Sequence, residues 1–252
     1  MKFPSICFLT LFGSLLIFIT LDSNAANVAT WQDNGNVSYL NDEITAAGQT
    51  PVTISALNSA GLSGVSILFL LNSDNFSYAS AMTGGTADLA NFVSGGGTLV
   101  FFDRVAGNDN VTLNGILPGS FVFNIVRSLV TNLDLSAPGS PYLAGLNNAS
   151  FDGGNSAAHG YIASGDLPLG SSSYIHVEGN PSQIVDFSYS FGAGMVHYST
   201  IPADFYAQGF GGTAFNSSVS IYVQNLASVP EPDSAMLSVI AVIGLLARRR
   251  RN

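Results

Sequence analysis

The sequence predicts an α/β fold: a doubly wound, mostly parallel sheet with an antiparallel hairpin toward its C-terminal side. Three observations lead there. Residues 65–71 and 98–102 are almost unbrokenly apolar, as strands covered on both faces of a parallel sheet are. Between them lies a helical stripe that ends in Gly95-Gly96-Gly97, so the three pieces read as a β-α-β crossover. Near the end, Gly192 and Gly194 separate two strand-like runs as a hairpin turn does.

The elements follow in chain order. Residues 28–31 form a short apolar strand that stops at the turn cluster Gln32-Asp33-Asn34-Gly35. From 36 to 47 the apolar positions Val37, Leu40, Ile44 and Ala47 sit three and four apart, a helix that Gly48 caps. A short strand follows at 52–54, then a loop, then the strand 65–71. The next helix spans 86–93, with Leu89, Ala90, Phe92 and Val93 as its apolar face, and leads into the strand 98–102. The second half is less regular. Residues 121–126 read as a strand or short helix, and 133–146 as a loop broken by Pro138 and Pro141. Strands are expected at 174–177, 183–189 and 195–199, with a closing helix at 215–226. Residues 209–212 are expected to be a flexible break within the domain.

Both ends are expected to be addresses rather than parts of the domain. Lys2, the apolar run 6–21 and the small residues Ser23 and Ala25 have the layout of a secretory signal peptide, cut between Ala25 and Ala26. At the other end, Pro230-Glu231-Pro232 keeps the backbone extended. It precedes an apolar run at 235–247 and the four arginines Arg248, Arg249, Arg250 and Arg251. Thirteen residues of helix reach about 20 Å, short of a ~30 Å hydrocarbon core. Arginines stay on the cytoplasmic side. The organisation is therefore a signal peptide at 1–25, an α/β domain at 26–228, and a tail with a short membrane helix at 229–252.

The domain carries only two basic residues besides histidine, Arg104 and Arg127, against thirteen carboxylates. A lysine-free acidic surface cannot neutralise phosphates, so nucleic acid is excluded as a partner. Cations or neutral polysaccharide fit better. The single cysteine, Cys7, lies in the signal peptide, so the exported domain has no disulfide, thiol nucleophile or thiolate metal site.

Two resemblances add to this reading. The order Pro230-Glu231-Pro232, apolar run, basic end resembles the PEP-CTERM sorting signal. That implies an exosortase as partner, transient anchoring in the inner membrane through the C-terminal helix, cleavage near the motif, and delivery to the cell surface or extracellular polymer. Within the domain, Trp31-Gln32-Asp33, Ala46-Ala47-Gly48, and the run from Leu89 to Val93 into Gly95-Gly96-Gly97-Thr98-Leu99-Val100 resemble the class I glutamine amidotransferase-like superfamily, which has a flavodoxin-like fold. So do 137–141 before 143–146, and Gly192-Ala193-Gly194-Met195-Val196. Non-catalytic and trehalose-utilisation-like members share this pattern. Catalytic members need a cysteine at the sharp turn after a central strand. Here that strand runs into Asp103-Arg104-Val105, which rules out glutaminase chemistry.

No catalytic residue is assigned. A ligand crevice at the carboxyl end of the 98–102 strand is the expectation, built from Asp103, Arg104 and Asp109, because open α/β sheets bind ligands there. Arg104 would pair with Asp103 or Asp109, or face an anionic ligand. Asp103, Asn108, Asp109 and Asn110 surround Gly107 with oxygens of the kind Ca²⁺ takes, but the spacing is not that of an EF-hand, and a solvated loop is the plainer reading. No cofactor is assigned. His159, His176 and His197 share no metal-ligand spacing, so zinc would require them to converge in space. The leading reading is a non-enzymatic, exported binding or structural component of extracellular polysaccharide or biofilm. The alternative is an exported carbohydrate-active hydrolase with an unlocated metal or carboxylate site.

Overall fold

Every residue of the strand Ile67–Leu71 is buried, and alternate side chains enter two different cores. Ile67, Phe69 and Leu71 face one core, and Leu68 and Leu70 the other. Only a sheet covered on both faces produces that division. In a computed structural model, which describes residues 27–228, this strand is β3 and lies inside a nine-stranded mixed sheet. The predicted signal peptide with its cleavage residues Ala25 and Ala26, and the tail 229–252, lie outside the described residues. Among the described residues no helix is long and apolar enough to cross a membrane.

Five strands run parallel in the order β2 (Thr50–Thr53), β1 (Asn27–Gln32), β3, β4 (Thr98–Phe102) and β9 (Gly194–Ser199). Three more extend the sheet antiparallel beyond β9: β8 (Asn180–Phe191), β7 (Ser172–Val177) and β5 (Leu133–Leu135), while β6 (Ile162–Ala163) pairs β8. One face is covered by α1 (Ser38–Ala46), α5 (Ala203–Ala207) and α6 (Thr213–Ser228). The other is covered by α2 (Ser80–Gly84), α3 (Thr86–Ser94) and α4 (Asn110–Ile116). The chain leaves β1 for one neighbour, β2, and returns on the other side as β3. The sheet is therefore doubly wound, with its direction of winding reversed at β1.

The two glycine motifs meet. The β8–β9 turn sits on the C-terminal end of α3, where Ala193 N donates to Ser94 O at 3.0 Å and Met195 N to Gly97 O at 3.3 Å. A Cβ at position 194 would lie 2.2 Å from the carbonyl oxygens of both Gly97 and Val93. Glycine is required there by a close approach of two backbones.

Several expectations are corrected. Residues 121–125 form neither strand nor helix, and Val126 makes an isolated antiparallel bridge to Tyr161. The Asn114 side chain occupies the place of a strand partner, accepting from Phe123 N at 2.7 Å and donating to Phe123 O at 3.2 Å, and Asn110 Nδ2 donates to Ile125 O at 3.1 Å. Side-chain amides satisfy this backbone where a ladder otherwise would. Residues 133–146 are not wholly a loop, since they contain β5 and a 3₁₀ turn at Pro141–Leu143. Helices α2, α4 and α5, each seven residues or fewer, are too short to show a periodic stripe. The segment 209–212 is tied rather than loose: Asn216 accepts from Gly211 N and donates to Gly211 O, both at 3.0 Å.

Candidate functional site

The carboxyl ends of β3, β4 and β9 open into a crevice of about 170 Å³. Its walls are Asn75 after β3, Arg104 after β4, Pro202, Phe205 and Tyr206 after β9, and Asn155, Ser156 and His159 from the loop before β6. This is the place where parallel α/β sheets bind ligands.

Arg104 is held on three sides. Its Nη1 donates to Asp204 at 2.6 Å, its Nε donates to Asn75 Oδ1 at 2.8 Å, and its guanidinium lies 5.4 Å from the Phe205 ring centre. The expected pairing with Asp103 or Asp109 is thus replaced by Asp204, one hundred residues away. Asp204 is almost wholly buried, and desolvation pushes its carboxyl up despite the opposing pull of Arg104. Gln32 Nε2 lies 3.5 Å from the same carboxylate oxygen, and its Oε1 accepts from Tyr39 at 2.9 Å. A guanidinium has five N–H donors, of which two are used here, so the outer edge keeps donors for a ligand. Its charge is already balanced by Asp204.

His159 completes one wall. Its Nδ1 donates to the Arg104 carbonyl and its backbone N to Thr200 O at 2.9 Å. Burial pushes its pKa below the ordinary 6.5. A neutral ring with its proton on Nδ1 leaves Nε2 as a lone-pair acceptor. Tyr206 accepts from Ser156 N at 3.1 Å, so its own hydroxyl proton stays free to donate.

The other two residues of the expected crevice lie elsewhere. Asp103 is completely buried beneath it. One of its carboxylate oxygens accepts from Tyr198 at 2.6 Å, Tyr78 at 2.8 Å and Arg127 at 2.8 Å, and the other from Val105 N at 3.0 Å. Both tyrosines are pushed well above 10 by desolvation and then by the Asp103 charge, which keeps them protonated donors. Asp109 caps α4, accepting from Thr112 N at 3.2 Å. Of the oxygens considered for Ca²⁺, those of Asp103 and Asp109 are therefore turned to separate tasks. No group of three His, Cys, Asp or Glu among the described residues is placed to hold a metal ion.

The remaining histidines sit apart. His176 lies 2.8 Å from Ser136 Oγ and 3.9 Å from Asp134. His197 is buried on β9, 2.7 Å from the Tyr222 hydroxyl and 2.9 Å from Asp186, while Tyr222 donates to Asp186 at 2.6 Å. Sequence reasoning pointed to Arg104 but missed Asn75, His159, Asp204 and Phe205. Asn75, Asp204 and Phe205 follow strand ends and His159 comes from the loop before β6, so their grouping becomes visible only once the strand order is known.

No protein-family model matches the chain, and no curated protein matches it in sequence. Solved structures do match in three dimensions. A protein described as ThuA-like from Bacteroides uniformis is 11% identical, with a TM-score of 0.51, over 83% of this chain and 94% of that one. A cytoplasmic protein from Salmonella typhimurium is 10% identical, with a TM-score of 0.54, over 79% and 97%. An exo-β-1,4-mannosidase from Opitutaceae bacterium strain TAV5 is 10% identical, with a TM-score of 0.50, over 82% of this chain but only 36% of that one. At such identities the likeness is one of fold. The described domain has a flavodoxin-like α/β architecture, with an antiparallel extension on its C-terminal side.

Proposed function

We propose that this chain is an exported, non-enzymatic binding protein of the extracellular polymer layer. An exosortase recognises Pro230-Glu231-Pro232, the apolar tail holds the protein transiently in the inner membrane, and the domain then acts at the cell surface or in the matrix. One observation carries the non-enzymatic part. The turn after β4, where catalytic relatives of this fold place a nucleophile, holds Asp103, whose two oxygens are saturated by four donors in a sealed site.

The binding surface is the Arg104 crevice. Its one cation is matched by Asp204, and its other groups are amides, hydroxyls, a neutral imidazole and the Phe205 ring. A wall with donors, acceptors, an aromatic face and no net charge suits a polyhydroxylated, uncharged ligand such as the end of a polysaccharide chain. A glycoside hydrolase normally needs two carboxylates across the scissile bond. Among the described residues Asp204 is the only carboxylate that touches an Arg104 donor, and it is almost wholly buried.

Calorimetric titration with purified extracellular polysaccharide tests the binding. The expected result is saturable heat that Phe205→Ala and Arg104→Gln abolish, with no release of reducing ends. Stoichiometric turnover of a glycoside would favour the hydrolase instead. Replacing Pro230, Glu231 and Pro232 by alanine should leave the tail attached in cells, read by mass spectrometry of the intact protein.

A further inference from the structure

We infer that, while the C-terminal tail is in the membrane, the domain stands with the amino edge of its sheet toward the lipid and its crevice pointing away. This rests on the export and tethering proposed above. The five parallel strands begin on one edge, at Asn27, Thr50, Ile67, Thr98 and Gly194, and end on the other. Every residue that walls the crevice from β3, β4 and β9 follows a strand end.

Helix α6 carries the chain back. Its first turn lies at the crevice edge, where Phe215 packs 4.2 Å from the Tyr206 ring and Asn216 clasps Gly211. Tyr222 reaches the middle of β9 through His197. Gln224 then meets Glu43 at 2.6 Å, in the second half of α1, which itself runs toward the start of β2. Sixteen helical residues advance about 24 Å, more than the roughly 17 Å of a five-residue strand. Ser228 therefore leaves the domain at the edge where Asn27 enters it.

A second observation is independent of the helix. The loops that close the amino edge, 46–50, 62–66, 94–97 and 192–194, contain no charged residue. The opposite edge presents the accessible carboxylates Asp33, Asp74 and Asp109, while Asp103 and Asp204 there are buried and paired with arginines. Bilayer surfaces rich in anionic lipid repel carboxylates, so the edge whose loops carry no charge is the one that can lie near headgroups. Residues 229–234 separate α6 from the apolar run and span at most about 20 Å even if extended. The domain is held close enough for its orientation to matter. A crevice facing the membrane would be shut off from polymer.

The domain has no cysteine, which makes the test direct. Protein spanning Ala26 to Asn252, the form left once the proposed signal peptide is cut and free of cysteine, is placed in phosphatidylethanolamine–phosphatidylglycerol vesicles that contain a nitroxide lipid quencher. A fluorophore is attached at Thr50→Cys or, separately, at Phe210→Cys, both exposed positions on opposite edges. Ser63→Cys and Phe76→Cys form a second pair, in case either first variant misfolds. The expected result is loss of most emission at 50 and 63, with emission at 210 and 76 retained. Equal loss at both edges, or greater loss at 210 and 76, overturns the orientation. Failure of the protein to float with the vesicles overturns the tethering itself, and the inference with it.

Discussion

Two arginine–aspartate pairs stand one residue apart along the chain and do opposite things. Arg127–Asp103 is sealed, with side-chain exposures of 4% and 0%, and Arg104–Asp204 is open at the arginine, with 21% and 3%. Asp103 and Arg104 are neighbours in the turn after β4, so the backbone sends one side chain under the sheet end and the next out over it. The sealed pair is a structural joint between β4, β9 and the segment around Arg127. The open pair keeps unused donors at the surface of a crevice. The lesson is that an ion pair's role follows from which of its hydrogen-bond positions remain free, more than from its charge.

Removing a partner from each pair sharpens the contrast. The largest effect is expected for Arg127→Met, which leaves Asp103 buried without a counter-charge. Denaturant unfolding should show a loss of about 3–5 kcal/mol. Arg127→Met combined with Asp103→Asn should recover part of it, and a double variant no better than the single one would contradict the pairing. Next, Tyr198→Phe removes one of three donors to the same oxygen and should cost about 1–3 kcal/mol. Arg104→Gln should cost less than Arg127→Met in the same measurement, because the open side admits water to the Asp204 site, yet it should abolish polysaccharide binding. If Arg104→Gln proved the more destabilising of the two, the distinction drawn here would fail.

The smallest effect concerns pH. Burial depresses the pKa of His159 in the folded state, so the unfolded chain takes up the proton first as pH falls. Stability from this group is complete above the ordinary value of 6.5 and declines below it, toward the lowered folded value. Asp204, raised above 3.8, acts in the opposite sense, since its protonation favours the folded state in acid. Midpoints of urea unfolding measured between pH 5 and 8 should fall with pH in the wild type, and His159→Gln should flatten that slope.

How far each part was legible follows from range. The buried runs of β3 and β4, α3 with its glycines, and the β8–β9 hairpin are written in local periodicity, and they are where the sequence foretells them. α4 is not, because its start depends on one cap, Asp109 to Thr112, inside a segment that also resembles a cation loop. The stretch 121–126 has the composition of a strand, but asparagine side chains partner Phe123 and Ile125, and only Val126 pairs by backbone, with Tyr161. The crevice was legible only at Arg104. Its counter-charge comes from position 204 and its imidazole neighbour from position 159, and no local pattern ties these to the turn after β4.

The scarcity of basic residues has a practical consequence. Within the described domain, trypsin-like proteases have just two bonds to attack, after Arg104 and Arg127. Both side chains are clamped by hydrogen bonds that would have to break before a protease could seat them. The folded domain should survive trypsin digestion that shreds lysine-rich neighbours. Such endurance would serve the export proposed above, because outside a cell neither chaperones nor resynthesis can repair a damaged domain.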